Sequence, residues 1–309
     1  MVTTRRSFLS LALHPVVLML STARKHRASP LIQELSRGDT TQFKNQLLGL
    51  ANTERLSAGA RTLVMDDLAG GVADQHALDM ATGKFLSHWG SDGRKPYHRY
   101  CRAGGFDGVQ ENVSRADELT TRDPKFIALT LAQMHIKMHA EIPPNDGHKR
   151  AILAPQHTHA GFGIALIGND LRLVELYIAR YIQLEPFQRL VKRRAIVQLD
   201  GKILSRDYRL SYAEVFYEPP PMPPEISWLR EPRPYSLPAE YKAIRRVTPT
   251  GTEYADGVKG VIETGSGGRF RIPVTLYKNE PGIYTVVIWI SDKNGRNSFA
   301  ATNICVEAE

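Results

Sequence analysis

Cysteine is scarce in this chain of 309 residues, which contains only Cys101 and Cys305. A dense disulfide framework, of the kind that stabilises small secreted domains, is therefore excluded. A chain of this length can bury a core without disulfides, and its length suggests about two domains. The sequence favours two buried thiols in separate domains, and it leaves open one long-range disulfide in an oxidising compartment.

Long apolar runs are also lacking, except within residues 1–23, so no later segment is expected to cross a membrane. Residues 1–23 have the order of an export signal: two arginines (Arg5 and Arg6), an apolar run over residues 8–20, and small residues that end at Ala23. The arginine pair followed by Ser-Phe-Leu resembles a twin-arginine signal. An ordinary Sec signal or an uncleaved anchor remains the alternative. We expect an exported protein, periplasmic or extracellular, that is not a transmembrane protein.

The charge balance lacks a strong excess of one sign. Lys and Arg total 40 against 32 Asp and Glu, so the net charge is +8, and loss of Arg5 and Arg6 with the signal would leave +6. This excess favours contact with anionic surfaces. The basic residues are scattered, and no basic stripe interleaved with aromatic residues is present, so we expect no nucleic-acid binding.

Residues 24–38 are polar and basic and are expected to be a flexible lead-in. After them, the spacing of the apolar residues is first that of helices and then that of strands. Apolar residues recur at helical intervals near residues 43–50, with Asp39 or Thr40 as N-cap, and over residues 66–84. A third helix is predicted from Asp123-Pro124, with Ile127, Leu131, Met134 and Met138 on its apolar side. Residues 161–167 and 171–182 have the pattern of two strands joined by a hairpin turn. Residues 39–185 therefore form a first domain of mixed α and β structure.

The second domain is predicted over residues 186–309, where strand patterns dominate. They cover residues 195–199, 208–217, 258–263, 270–277, 283–291 and 298–306. Asn294-Gly295 predicts a hairpin between the last two, residues 219–224 form a stiff proline-rich excursion, and residues 265–268 are a glycine-rich turn rather than a phosphate loop. The expected fold class is α+β, in which the mixed first domain is followed by a smaller antiparallel β-sandwich-like domain.

Four segments of the first domain carry residues that could perform chemistry. His88 follows a helix beside a polar turn, and Glu111-Asn112 lies in a short extended stretch. Glu141 follows the end of the third helix. His148 comes directly after Gly147, where backbone can approach closely.

These segments resemble the motifs of the CAP superfamily, the cysteine-rich secretory, antigen 5 and pathogenesis-related proteins. Residues 50–55 and 77–80 resemble its opening helices, residues 85–88 its first histidine motif, and Glu111-Asn112 its Glu-Asn motif. Residues 147–153 resemble the bacterial Gly-His-Arg-x-Asn-Ile-Leu motif, and residues 160–165 the small-residue strand. The resemblance covers about residues 43–182. Two departures are Gln110, where a glycine often precedes Glu-Asn, and the absence of the usual tryptophan before Gly147.

The resemblance implies a three-layer α-β-α sandwich with a cleft lined by two histidines and two glutamates. Carried over to this chain, the histidines are His88 and His148, and the glutamates are Glu111 and Glu141. Neutral imidazoles can hold Zn²⁺ or another divalent metal, with the carboxylates as candidate catalytic groups. The same four residues can also form a hydrogen-bonded network that only shapes a pocket.

Other polar residues receive structural interpretations. His135 and His139 have the i, i+4 spacing of metal ligands on a helix. Ile136 stands directly after His135, where a zinc protease motif has Glu, so we expect the two histidines to flank the cleft or the core. His76 lies on an apolar stripe and is expected in the core. Arg99 is expected to anchor a loop, because a guanidinium suits carbonyl and carboxylate partners.

Two functional hypotheses follow. The first is a binding module whose cleft holds a divalent metal or a small lipid or peptide ligand, with a cell-envelope component as another partner. The second is a metal-dependent hydrolase that uses the same cleft, with Glu111 as general base. A third interpretation is an adhesion protein with a vestigial site.

Overall fold

The computed structural model of the protein describes residues 35–309. The predicted export signal, residues 1–23, and most of the predicted lead-in, residues 24–38, lie outside the described residues. From residue 35 onward, none of the helices combines the length and the apolar character that a bilayer crossing requires.

The first domain is built from five helices and four strands. They are α1 (Arg37–Ser57), β1 (Val64–Met65), α2 (Asp67–Gly83), α3 (Pro96–Arg102), β2 (Gly108–Ala116), α4 (Pro124–His139), α5 (Gly147–Leu153), β3 (His159–Ile167) and β4 (Asp170–Ala179). The strands form one sheet in the order β1-β3-β4-β2, in which only β1 and β3 run parallel.

Side chains of β4 alternate between two cores, one on each face of the sheet. Val174, Leu176 and Ile178 join the core under α2, whereas Leu173 and Tyr177 join the core under α1 and α4. Successive strand residues point to opposite faces, so a strand covered on both sides has a continuous apolar run. The predicted α-β-α sandwich is thereby confirmed.

Capping residues set the helix starts much as the sequence indicates. Asp66 caps α2, and Asp123 caps α4 with Pro124 in its first turn, as side-chain oxygens at this position satisfy free N–H groups. The cap predicted for α1 was wrong. Ser36 occupies that position and accepts a hydrogen bond from the backbone N–H of Asp39.

The second domain contains ten strands and one short helix. They are β5 (Ile182–Leu184), β6 (Leu190–Val191), β7 (Ile196–Ile203), β8 (Tyr208–Glu218), α6 (Ile226–Leu229), β9 (Tyr241–Arg245), β10 (Glu263–Thr264), β11 (Arg269–Thr275), β12 (Gly282–Asp292), β13 (Ser298–Ala300) and β14 (Ile304–Ala308). One sheet has the order β10-β11-β7-β5 and the other the order β6-β14-β12-β8-β9, with β13 beside β12.

The two sheets enclose a common core, so the predicted β-sandwich is confirmed. Leu199 and Ile272 from the first sheet and Val286, Ile288 and Ile304 from the second are all fully buried in it. The glycine-rich turn is a single 3₁₀ turn over Ser266–Gly268.

Two predicted strands of this domain were wrong in extent. Of residues 258–263, only Glu263 lies in a named strand. Residues 298–306 are divided into β13 and β14, because Thr302 leaves the ladder and its hydroxyl group binds the backbone of β12 at Val286 and Ile288.

The chain passes from one domain to the other between Ala179 and Ile182, since β5 pairs with β7 of the second domain. The limits 39–185 and 186–309 stay predictions of independent folding units. The contact between the domains is buried: Cys305 and Ile283 belong to the same core as Cys101. Both cysteines are free thiols, and they lie in this shared core rather than in separate ones.

A 22-residue segment, residues 219–240, connects β8 to β9 and is called the strap below. The two strands are antiparallel neighbours, with Phe216 paired to Tyr241, and such neighbours need only two to five residues between them. The strap instead leaves the sheet and crosses onto the first domain, where Leu229 is buried in the core under α2.

Gly163 allows α2 to lie directly on β3, and this contact is testable. A Cβ atom at Gly163 would lie 2.0 Å from the carbonyl carbon of Ala73. We expect Gly163→Ala to lower the free energy of unfolding by about 3 kcal/mol, since two backbones would have to separate.

Gly71→Ala is the matched control for this substitution. Gly71 lies on the exposed side of α2 with nothing near its Cβ position, so alanine should raise the free energy of unfolding by about 0.5–1 kcal/mol through helix propensity. Urea denaturation measures both variants. Equal stability of Gly163→Ala and the wild-type protein would contradict the packing described.

Candidate functional site

The candidate site is arranged around β2, an edge strand of the first sheet. Glu111 and Asn112 are consecutive, so their side chains point to opposite faces. Glu111 lies with Val109 and Val113 on the face of α2 and α3, and Asn112 points towards α5 and β4.

Glu111 is bound from three sides. Its Oε1 lies 3.0 Å from Nδ1 of His88, and its Oε2 lies 2.5 Å from Nη2 of Arg99. Nε2 of His76 lies 3.9 Å from Oε1. The Glu111 side chain is only 1% exposed, so these partners replace its hydration.

The charge of Glu111 is stabilised despite its burial. Burial by itself raises the pKa of a carboxyl group, but Arg99, together with His76 and His88, outweighs that effect and lowers the pKa of Glu111 to about 2. Glu111 is therefore a carboxylate throughout the neutral range.

Arg99 also fixes the loop that carries His88. Its Nη1 donates to the backbone oxygens of His88 and Arg94, at 2.8 and 2.7 Å. The predicted role of Arg99 as a loop anchor is confirmed, and the planar guanidinium explains how one side chain serves two carbonyls and a carboxylate.

Tyr235 of the strap covers this end of the site. Its ring lies 4.6 Å from the His88 ring, and its hydroxyl oxygen accepts a hydrogen bond of 2.9 Å from the backbone N–H of Glu111. Burial, with the charge of Glu111 nearby, raises the pKa of Tyr235. The second domain thus contributes a side chain to the candidate site of the first.

His148 forms a separate pair with Glu141. Its Nδ1 lies 2.5 Å from Oε1 of Glu141, and its backbone N–H donates to Oε2 at 3.0 Å. The two side chains are 31% and 24% exposed, so this pair is open to solvent. Asn112 connects the pair to the sheet, since its Nδ2 donates to the backbone oxygen of His148.

Arg55 holds the end of α5, the helix that begins beside His148. Its fully buried guanidinium donates to the backbone oxygens of Ile152, Ala154 and His157, at 2.6, 3.0 and 3.1 Å. Removal of this side chain would take away a donor from each of these carbonyls, and a buried carbonyl left without a donor lowers stability.

A buried ionic network lies behind Asn112. His135 has Nδ1 at 2.6 Å from Oε1 of Glu175 and Nε2 at 2.9 Å from Oε2 of Glu54, and His139 lies 3.3 Å from Glu54. Burial alone lowers the pKa of an imidazole, but Glu175 and Glu54 outweigh it and raise the pKa of His135 to about 10. His135 is therefore an imidazolium held between two carboxylates.

The sequence of the first domain matches a known family. Residues 48–179 match the model of the CAP, cysteine-rich secretory protein family. These residues form a CAP domain.

Two solved structures resemble the chain. An outer surface protein from Borrelia burgdorferi is 18% identical, with a TM-score of 0.37, and the match covers 47% of this chain and 94% of that one. An extracellular protein containing a SCP domain from Bacillus anthracis str. Ames is 20% identical, with a TM-score of 0.34, and the match covers 45% and 41% of the two chains. No curated protein sequence matches the chain.

The four residues predicted from the family motifs are arranged as two pairs, His88 with Glu111 and His148 with Glu141. Within residues 35–309, no group of three or more His, Cys, Asp or Glu side chains is arranged so that it could hold a metal ion. At His88 the cationic Arg99 is bound to Glu111 and Tyr235 covers the ring, so the donors present do not fit a divalent cation. Zinc binding by His88 and His148 stays a prediction.

Sequence patterns missed two residues of the site and assigned a third correctly. Tyr235 lies 124 positions from Glu111, and no local pattern indicates that distance. Glu175 is a carboxylate in the middle of the apolar strand β4, and a charge in such a position is a signal for a buried partner. His76 is buried as predicted and binds the backbone oxygen of Ser87 at 2.8 Å, although it also faces Glu111.

The His135 network predicts a pH-dependent stability of the CAP domain. The pKa of His135 is about 10 in the folded chain and about 6.5 when unfolded. Because the folded state binds this proton more tightly, the contribution is complete below about pH 6.5 and is lost as the pH rises towards 10.

We expect His135→Gln to lower the free energy of unfolding by about 3–5 kcal/mol at pH 6, because the buried carboxylates lose their counter-charge. The difference from the wild-type protein should shrink as the pH rises to about 9.5. Urea denaturation at several pH values measures it, with His139→Gln as a control on the exposed side of the network. A difference that stays constant with pH would contradict a charged His135.

Proposed function

We propose that the protein is an exported CAP-domain binding protein whose candidate site recognises a ligand without hydrolysing it. The state of Glu111 carries this proposal. A general base works best when its pKa lies near the working pH, and the pKa of Glu111 is about 2. Its carboxylate oxygens are also occupied by His88 and Arg99.

Enclosure of Glu111 supports the same conclusion. A catalytic carboxylate needs hydrogen-bond reach to a reacting proton or water. The Glu111 side chain is 1% exposed, and Tyr235 lies over the neighbouring His88. Such a rigid, charge-balanced set is suited to hold a bound group in one position.

A hydrolase would have to use the other pair. Glu141 holds Nδ1 of His148, which is the way in which a carboxylate orients an imidazole that acts through its other nitrogen. The pair is partly exposed. It lacks a third metal donor among the described residues, so we give this second function less support.

Export is part of the proposal and rests on the sequence before the described residues. Arg5, Arg6 and the apolar run that follows have the order of a signal peptide, and the matched family is described as secretory. The ligand class proposed is a small lipid, a peptide or a cell-envelope component, and the net positive charge of the chain favours an anionic surface.

Hydrolysis assays separate the two functions. We expect the protein to release no product from fluorogenic peptides or p-nitrophenyl esters above the uncatalysed rate, with or without added Zn²⁺. Glu111→Gln and His148→Ala should leave this result unchanged, and Gly71→Ala is a control outside the site. A rate above background that falls about a hundredfold in Glu111→Gln or in His148→Ala, the effect of losing a general acid or base, would overturn the binding function in favour of the hydrolase.

A further inference from the structure

We propose that the CAP-domain face under the strap is a binding site for proline-rich peptides that carry aromatic side chains, and that residues 219–240 are its intramolecular ligand. The proposal rests on the binding function above and names the class of ligand. A partner peptide would then reach the site only when the strap is displaced.

The length of the strap is the first observation. An antiparallel pair such as β8 and β9 requires only a short loop, and connections of more than about 12–15 residues without regular structure are usually functional. The strap uses 22 residues, of which only Ile226–Leu229 are helical.

The composition of the strap is that of a recognised peptide. It contains eight of the 19 prolines of the chain, including residues 219–221, 223 and 224. Proline-rich segments are extended and stiff before they bind, so they lose little conformational entropy in a groove. Trp228 and Tyr235 supply rigid aromatic anchors of the kind that dominate peptide interfaces.

Each anchor meets a matching group of the CAP domain. The Trp228 ring packs edge-on against Trp89 at 5.2 Å. The Tyr235 ring lies 4.6 Å from that of His88. Aromatic-lined surfaces are the usual receptors for proline-rich peptides.

Side chains also bind backbone groups across the contact between the strap and the CAP domain. Nζ of Lys95 donates to the backbone oxygen of Ser236 at 2.9 Å. The Glu111 N–H on the edge strand is satisfied by Tyr235. Free N–H groups on an edge strand are a common docking point for another segment.

Gly93 provides space for the strap at its proline-rich end. It has a φ of 80°, and a Cβ atom there would lie 2.2 Å from the backbone oxygen of Met222. The strap backbone and the CAP backbone therefore approach as closely as glycine permits.

The first measurement is the reactivity of His88 in the full chain. Diethyl pyrocarbonate modifies accessible imidazoles, and mass spectrometry can report the rate at His88 relative to His148 in the same molecule. We expect Tyr235→Ala to raise this ratio about tenfold, the size of effect that loss of an anchor produces. Tyr241→Ala is the control, since Tyr241 packs on Phe216 in the second domain.

Tyr235→Phe provides a second, milder variant. It retains the ring over His88 and loses the hydroxyl group that accepts from Glu111, so the ratio should rise less than in Tyr235→Ala. An unchanged ratio in both folded variants would overturn the proposal. If Tyr235→Ala does not fold, the Tyr235→Phe result decides alone.

The second measurement is binding of a peptide in trans. A fluorescent peptide with residues 226–238 is titrated into the wild-type chain and into the variant whose His88 has become reactive, with anisotropy as readout. We expect about tenfold tighter binding to the variant, because its own strap competes less. The same peptide with Tyr235→Ala should bind more weakly.

Equal binding to both chains, or no binding to the opened variant, would overturn the peptide-site proposal. Either result leaves the proposed binding function standing, because that function fails only when turnover depends on Glu111 or on His148.

Discussion

Glu111 carries a negative charge inside the protein, and the guanidinium of Arg99 is the group that makes this possible. A buried carboxylate without a counter-charge would take up a proton or leave the interior. Arg99 lies 2.5 Å from it and binds two backbone oxygens of the loop that carries His88. The position of His88, the low pKa of Glu111 and the surface on which Tyr235 rests all depend on this ion pair.

The alternation of an edge strand explains why the candidate site divides into two pairs. Glu111 serves the face with α2 and α3, and Asn112 serves the face with α5 and the buried His135 network. The His88 pair is enclosed by the strap, whereas the His148 pair is open to water. Two consecutive residues, Glu111 and Asn112, thus support both parts of the site. The part with His88 is closed and charge-balanced, and the part with His148 is accessible to water.

Sequence patterns predicted the β-rich second domain and three helix positions, because these depend on local periodicity and capping, whereas the α-β-α sandwich was implied by the resemblance to the CAP superfamily. Asp123-Pro124 marks the start of α4, and Ile127, Leu131, Met134 and Met138 are all buried. Family motifs brought His88, Glu111, Glu141 and His148 to attention, but not their pairing, since the pairing depends on which face each side chain takes. Tyr235 could not be found in this way, because it arrives from the other domain. Asp39 and Thr40 were wrong as caps because Ser36, three residues before Asp39, offers the same chemistry one turn earlier.

The charge state of Glu111 is the most direct test of this account. A chain labelled with ¹³C at the glutamate carboxyl groups, with Glu111 assigned through Glu111→Gln, can be followed by NMR from about pH 7 to about pH 4, a range that spans the ordinary glutamate pKa. The structure predicts that the Glu111 signal does not titrate in this range, as expected of a pKa of about 2. A midpoint at or above the ordinary value of about 4.3 would contradict the account, because Glu111 would then be free to exchange protons with a substrate.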